Sequence, residues 1–150
     1  YLAGERMFQL LYQVMGRIGR HEPGELIVQT LTPDHPIITE AIKRDYHSFY
    51  DREMTARKIL NYPPFSHSGR VIVEHKDEAI ALRLSLLVKD KIMKQARIRS
   101  LGPSPCFYAK LRGKYRYQIF IMSAQRSRLA AVAAILPKEA YVDLDPVQLL

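Results

Sequence analysis

The chain has 150 residues, of which 47% are hydrophobic, so it can bury a core and an intrinsically disordered protein is excluded. Lys and Arg number 23 against 15 Asp and Glu; this formal charge of +8 favours polyanionic partners, nucleic acid or a membrane surface, over a merely basic soluble protein. With Cys106 as the one cysteine, neither an internal disulfide nor a cysteine zinc cluster can form. The sequence has no run of about 18 apolar residues and no signal peptide, so no membrane span or secretion is expected and a cytoplasmic setting fits. The start at Tyr1, directly on helix-forming sequence, leads us to expect a piece of a longer protein.

In chain order, Glu5 to Met15 reads as an amphipathic helix, with Phe8, Leu11, Tyr12 and Met15 spaced for one face. It should end near Gly16 or Gly19, followed by a basic, glycine-bearing loop. Pro23-Gly24 makes a turn, and Glu25 to Leu31 reads as a β-branched strand. Asp34 or His35 then caps a helix with Pro36 in its first turn. Helical sequence runs to about Leu60, with a possible break at Asp45 and a stripe of Tyr46, Phe49, Tyr50 and Met54. Asn61-Tyr62-Pro63-Pro64 stops it, because proline cannot continue a helix and disfavours it in the preceding residue. A domain boundary is expected there.

Beyond the boundary the pattern is α+β. Arg70 to Glu74 reads as a strand, and Asp77 caps a long helix whose core face is Ile80, Leu84, Leu87, Val88 and Ile92. A short strand, Ile98 to Leu101, precedes a Gly102-Pro103-Ser104-Pro105 turn. Strands at Phe107 to Leu111 and Tyr115 to Ser123 flank Gly113 as a hairpin. A helix from Arg126 to Leu136 and a strand from Tyr141 to Leu144 complete the order β-α-β-β-β-α-β.

The most informative stretch is Gln13-Val14-Met15-Gly16-Arg17-Ile18-Gly19-Arg20. Two arginines three residues apart, separated by a flexible glycine and following a rigid helix, can aim two planar guanidinium groups at one phosphate cluster. An arginine finger of this kind stabilises the charge that develops on a transferring phosphoryl group. The upstream Gln13 can hydrogen-bond the nucleotide or its attacking water. The plain alternative is a basic turn that binds nothing.

Gln-x-x-Gly-Arg-x-Gly-Arg is similar to the last conserved motif of two-lobed, RecA-like helicases. Its lead-in, Ala3-Gly4-Glu5-Arg6 and Phe8-Gln9-Leu10-Leu11, resembles that of the PriA-type helicases. Further segments resemble the same family in the same order. They are Pro23-Gly24-Glu25, Thr32 to Pro36, Asp45-Tyr46 with Phe49-Tyr50, Tyr62 to Phe65, Leu101 to Pro105, Leu111 to Tyr117, and Asp143 to Pro146.

The resemblance implies an ATP-dependent DNA helicase of 3′-to-5′ polarity that restarts stalled replication forks and assembles the primosome. Arg17 and Arg20 would reach the γ-phosphate across the cleft between lobes, with Gly16 and Gly19 lining the nucleotide and Gln13 coupling its state to lobe closure. The family has small residues where this chain has Met15 and Ile18, and larger side chains would narrow the cleft. ATP with Mg²⁺ is the implied cofactor. The family's zinc cluster needs cysteines that this chain lacks, so zinc is expected in the full-length protein and outside this fragment. The phosphate loop is also missing, so the fragment alone should be inactive.

Asp77-Glu78-Ala79-Ile80 looks like the acidic helicase motif but follows the arginine motif, in the wrong order; a helix cap explains it better. Asp143 and Asp145 could share a strand face as metal ligands, although strand alternation accounts for them, and the five histidines show no ligand spacing. No metal site is expected. Lys110, Arg112, Lys114 and Arg116, interleaved with Tyr108, Tyr115 and Tyr117, suit a single-strand or fork-binding surface. A solvated hairpin with its tyrosines packed inward is the alternative. By the resemblance, Arg126 would help dock the acidic tail of single-stranded-DNA-binding protein, although Ala130 stands where a polar partner is expected.

The expected fold is α/β: residues 1–31 end a second RecA-like lobe, residues 32–64 are linking helices, and residues 65–150 form an α+β sandwich resembling ribosomal protein S10. Expected partners are forked and single-stranded DNA, single-stranded-DNA-binding protein and other primosome proteins. Two other readings stay open. One is a non-enzymatic primosome scaffold or DNA-binding module whose motor has decayed; the other is an RNA-binding domain of ribosomal type.

Overall fold

Three helices pack around one aromatic pair in the first of two compact units, which divide the chain between Leu60 and Asn61. The computed structural model describes residues 2–18 and 24–146. The helices are α1 (Ala3–Met15), α2 (Pro36–Ile42) and α3 (Tyr46–Leu60). Phe8 of α1 is buried against Ile37, Ala41 and Phe49, its ring stacked on Phe49 with centroids 4.1 Å apart, while Met7, Leu11 and Met15 close the cluster. Tyr12, which the helical spacing puts on the same face, is 44% exposed.

The helices α2 and α3 each start where local chemistry satisfies free N–H groups. His35 Nδ1 accepts from the Ile37 N–H, and Pro36 occupies the first turn. The break falls at Lys43–Asp45, where Arg44 adopts a φ of 54° and Asp45 restarts the helix by accepting from the Ser48 N–H at 3.0 Å and its hydroxyl at 2.6 Å. Of the expected stripe on α3 only Phe49 is fully buried; Tyr46 and Tyr50 are 53% and 46% exposed. Ion pairs hold much of this helix instead. Arg57 meets Glu5 and Glu53, each at 2.9 Å, and Arg52 grips Glu40 through two bonds of 2.9 and 2.7 Å.

The Ser48 hydrogen bonds hold the Asp45 carboxyl below its ordinary value. A depressed carboxyl pKa adds stability above the unfolded value, and that stability is lost as pH falls through the folded value. Fraying of the first turn of α3 is therefore expected below about pH 4. Amide exchange at Ser48, followed from neutral to acid pH, reads it, and Asp45→Ala should abolish the pH step.

The strand expected at Glu25 to Leu31 does not form: residues 24–30 have no regular structure, and Ile27 and Leu31 are 87% and 100% exposed. A strand needs a neighbour for its N–H and C=O groups, and none of the described residues pairs with this segment.

The second unit contains β1 (His67–His75), α4 (Glu78–Met93), β2 (Arg99–Leu111), β3 (Lys114–Ser123), α5 (Arg126–Ala131), a 3₁₀ turn (Val132–Ile135) and β4 (Ala140–Leu144). The sheet order is β2-β3-β1-β4 with every pair antiparallel, a split βαβ arrangement. One strand fewer is present than expected. The segments around Ile98–Leu101 and Phe107–Leu111 belong to a single strand, and Gly102-Pro103-Ser104-Pro105 is a bulge within it rather than a turn. Gly102 has a φ of 99°, and a Cβ there would lie 2.8 Å from the Gln118 carbonyl oxygen, so only glycine lets the strand kink while keeping its neighbour. The prolines are tolerated because β2 lies on the sheet edge.

Val71, Val73, Ile119 and Ile121 point from the sheet onto Val88 and Ile92 of α4, and onto Leu129 and Val132 beyond it. The buried face of α4 is Ala81, Ser85, Val88 and Ile92; Ile80 and Leu87, expected inside, are 45% and 53% exposed. Ala81 and Ser85 are small, so the helix can lie close to the sheet on that side. Asp77 caps it, accepting from the Ile80 N–H at 3.0 Å. The helix expected to reach Leu136 tightens after Ala131 into the 3₁₀ turn.

Candidate functional site

The arginine motif begins on the last turn of α1. Gln13 is exposed there, and Gly16 ends the helix with a φ of −68°, in ordinary helical territory. The Arg17 N–H donates to the Val14 carbonyl at 3.0 Å and the Ile18 N–H to the Met15 carbonyl at 3.4 Å, which ties the departing chain to the helix end. The Arg17 side chain is exposed and makes no ion pair among the described residues. Met15 packs into the Phe8 cluster. Gly19 and Arg20 lie outside the described residues.

The basic cluster sits on the β2–β3 hairpin. Leu111 pairs with Lys114, leaving Arg112 and Gly113 as a two-residue loop with φ of 50° and 75°. Positive φ at both positions defines the turn type whose twist suits two antiparallel strands, and it holds the Arg112 guanidinium at the exposed tip. Lys110 lies over the Tyr115 ring at 4.6 Å. Lys114 is half-exposed, 3.8 Å from Glu74.

Arg116 differs from its neighbours. Its side chain is only 14% exposed, with Nε 3.0 Å from Glu74 and Nη2 donating to the Tyr141 hydroxyl at 3.2 Å. Burial works against its charge, yet the Tyr141 bond and Glu74 hold its pKa above the ordinary value. The structure thus places Arg116 in the sheet's own ionic framework, while Lys110, Arg112 and Lys114 face solvent. Tyr115 and Tyr117 are half-buried, and Tyr108 is 65% exposed.

Phe107, which the sequence reading did not single out, is 69% exposed and meets Tyr108 edge-to-face at 5.0 Å. Both project because the ladder shifts register between Pro105 and Lys110. Adjacent aromatics in a strand ordinarily take opposite faces, and the available signal was the proline-rich run just before them.

Arg126 opens α5, half-exposed, and its Nε lies 3.0 Å from Asp145. Asp143 pairs with Arg70 at 3.3 Å, and Asp145 sits past the end of β4 with a φ of 50°, so the two carboxylates do not share a strand face. Among the described residues no group of three or more His, Cys, Asp or Glu side chains is placed to hold a metal. Cys106 is buried, and burial pushes its thiol above the ordinary value. Only the thiolate is strongly nucleophilic. Alkylation of Cys106 by iodoacetamide at pH 7.5 is therefore expected to run at least about tenfold slower than in the unfolded chain, as mass spectrometry can follow.

Residues 58–147 match the family described as Primosomal protein N C-terminal domain. The chain belongs to the PriA family. A PriA relative from Bacillus subtilis, named "Replication restart protein PriA", is 38% identical over 137 residues, covering 88% of this chain and 17% of its own length. The relatives of the same name from Chlamydia pneumoniae and Thermotoga maritima are each 34% identical, covering 98% and 97% of this chain but 21% and 20% of their own lengths. The chain thus spans about a fifth of the PriA relatives it matches. No helix among the described residues is long and apolar enough to cross a membrane.

Proposed function

We propose that this chain is the C-terminal part of an ATP-dependent, 3′-to-5′ DNA helicase that restarts replication and assembles the primosome in the cytoplasm. Relatives named for replication restart match along almost its whole length, and the Arg17 side chain, exposed at the end of a packed helix, carries the reading to chemistry. In this reading the first unit completes a RecA-like lobe, and the second is an S10-like module that contacts forked or single-stranded DNA.

ATP with Mg²⁺, held by an upstream lobe, supplies the transferable phosphoryl group. The contribution of this chain is positive charge. Arg17 and Arg20 would offer their guanidinium charge to the terminal phosphate, Gln13 would couple nucleotide state to lobe closure, and Gly16 and Gly19 would leave room for the nucleotide. Lys110, Arg112 and Lys114 neutralise DNA phosphates, with Tyr115 and the exposed Phe107 and Tyr108 offering rings to unpaired bases. Arg126, already facing an acidic group in Asp145, would receive the acidic tail of single-stranded-DNA-binding protein. The described residues do not fit the family's zinc. The deciding experiment is DNA-stimulated ATP hydrolysis by the full-length polypeptide with and without Arg17 and Arg20. A wild-type protein without such hydrolysis would leave the non-enzymatic scaffold in its place.

A further inference from the structure

The sheet face turned away from α4 and α5 carries two neighbouring cross-strand rows. One is Asp143, Arg70, Phe120 and Leu101; the next is Tyr141, Ile72, Gln118 and Ser104. A cavity of about 230 Å³ opens over them, lined by Arg70, Leu101, Gly102, Ser104, Gln118 and Phe120. The Gly102 bulge forms one wall, since the register shifts between Leu101 and Ser104.

The lining is mainly apolar, with one polar side. Phe120 and the 54% exposed Leu101 supply the apolar side. On the polar side, Arg70 keeps a buried Nε without a hydrogen-bond partner, while its Nη2 reaches Asp143 at 3.3 Å. The Gln118 amide meets the Pro105 carbonyl only at 3.5 Å. Asp143 offsets the Arg70 charge, which disfavours a free anion or an acidic peptide. A flat ring with donors and acceptors along its edge satisfies both sides. Single-strand readers of other kinds place bases in this way on antiparallel sheets backed by helices. The same two strands, β2 and β3, run on to the basic hairpin, so a strand lying along them would meet phosphate-binding cations next to the cavity.

We propose that this cavity receives one unstacked nucleobase of a single-stranded nucleic acid. The idea rests on the reading of the β2–β3 hairpin as a DNA contact, and the test keeps the two apart. Fluorescence anisotropy on the full-length polypeptide compares a mixed-sequence single strand with an abasic strand of equal length. The wild type should prefer the base-bearing strand by about tenfold or more. Phe120→Leu, which keeps the apolar volume but removes the ring plane, and Gln118→Ala should each lower that ratio by about fivefold or more, with thermal unfolding confirming that both variants fold. A ratio unmoved in both folded variants would overturn the proposal, as would an acidic peptide that competes for the wild type and not for Phe120→Leu. Charge removal at Lys110 and Lys114 should weaken both strands equally; if it weakens neither while the ratio persists, the hairpin reading fails and the base pocket stands.

Discussion

Arg20→Ala in the full-length polypeptide is expected to lower DNA-stimulated ATP turnover by about a thousandfold or more, with affinity for forked DNA kept within about twofold. The expectation follows from when the charge is needed. A guanidinium directed at a terminal phosphate meets more negative charge in the transition state than in the ground state, so its loss falls on kcat rather than on DNA binding. Arg17→Ala should behave alike, and Arg17→Lys should rescue little, because an ammonium lacks the planar fork that meets two oxygens together. The proposed role of Arg17 draws on three features. The residue is exposed, its backbone is tied to the end of α1, and α1 is anchored by Phe8. Steady-state ATP hydrolysis with saturating single-stranded DNA decides the matter, and unchanged turnover in Arg20→Ala would remove that residue from catalysis.

Neutralising the hairpin should do the opposite, weakening DNA binding while leaving the chemical step intact. In a Lys110→Gln, Arg112→Gln, Lys114→Gln variant, affinity at low salt is expected to fall by roughly ten- to a hundredfold. The slope of log affinity against log salt should flatten by about 2 to 3, because each phosphate that a cation neutralises adds about 0.7 to 0.9 to it. Arg116→Gln should part company with this set. Its guanidinium bridges Glu74 and Tyr141, so its removal leaves a half-buried carboxylate poorly paired and costs roughly 1–3 kcal/mol of stability, with little change in salt slope. Anisotropy titrations across salt, beside thermal unfolding, separate the two classes. Equal slopes in wild type and triple variant would discard the hairpin as a DNA contact.

Arg116 also marks where sequence reading loses its grip. In sequence it is one of four cations around Gly113, indistinguishable from Lys114. Its role depends on Glu74, 42 residues away, which the register of β1 against β3 sets opposite it. The exposed pair Phe107 and Tyr108 escaped for a similar reason, since a register shift along β2 put both rings in solvent. Arg57 and Glu5, 52 residues apart, were equally invisible as a pair that holds α3 on α1.

By itself the sequence determined the features whose causes lie within about four residues along the chain. The amphipathic run of α1, the caps at His35 and Asp77, and the Arg112-Gly113 turn all depend on near-neighbour hydrogen bonds and φ preferences. The ordered run of family-like segments could be read in the same way, and it led to the family that the relatives bear out. Leu84, Val88 and Ile92 could be read as core positions of α4, but tertiary structure alone decided that Ala81 and Ser85 complete that face in place of Ile80 and Leu87, that two expected strands are one bulged edge strand, and that a cavity opens over Phe120 and Gln118. Those outcomes depend on side chains meeting across strands far apart in sequence, where close packing of Ala81 and Ser85 outweighs the larger apolar surface of Ile80 and Leu87.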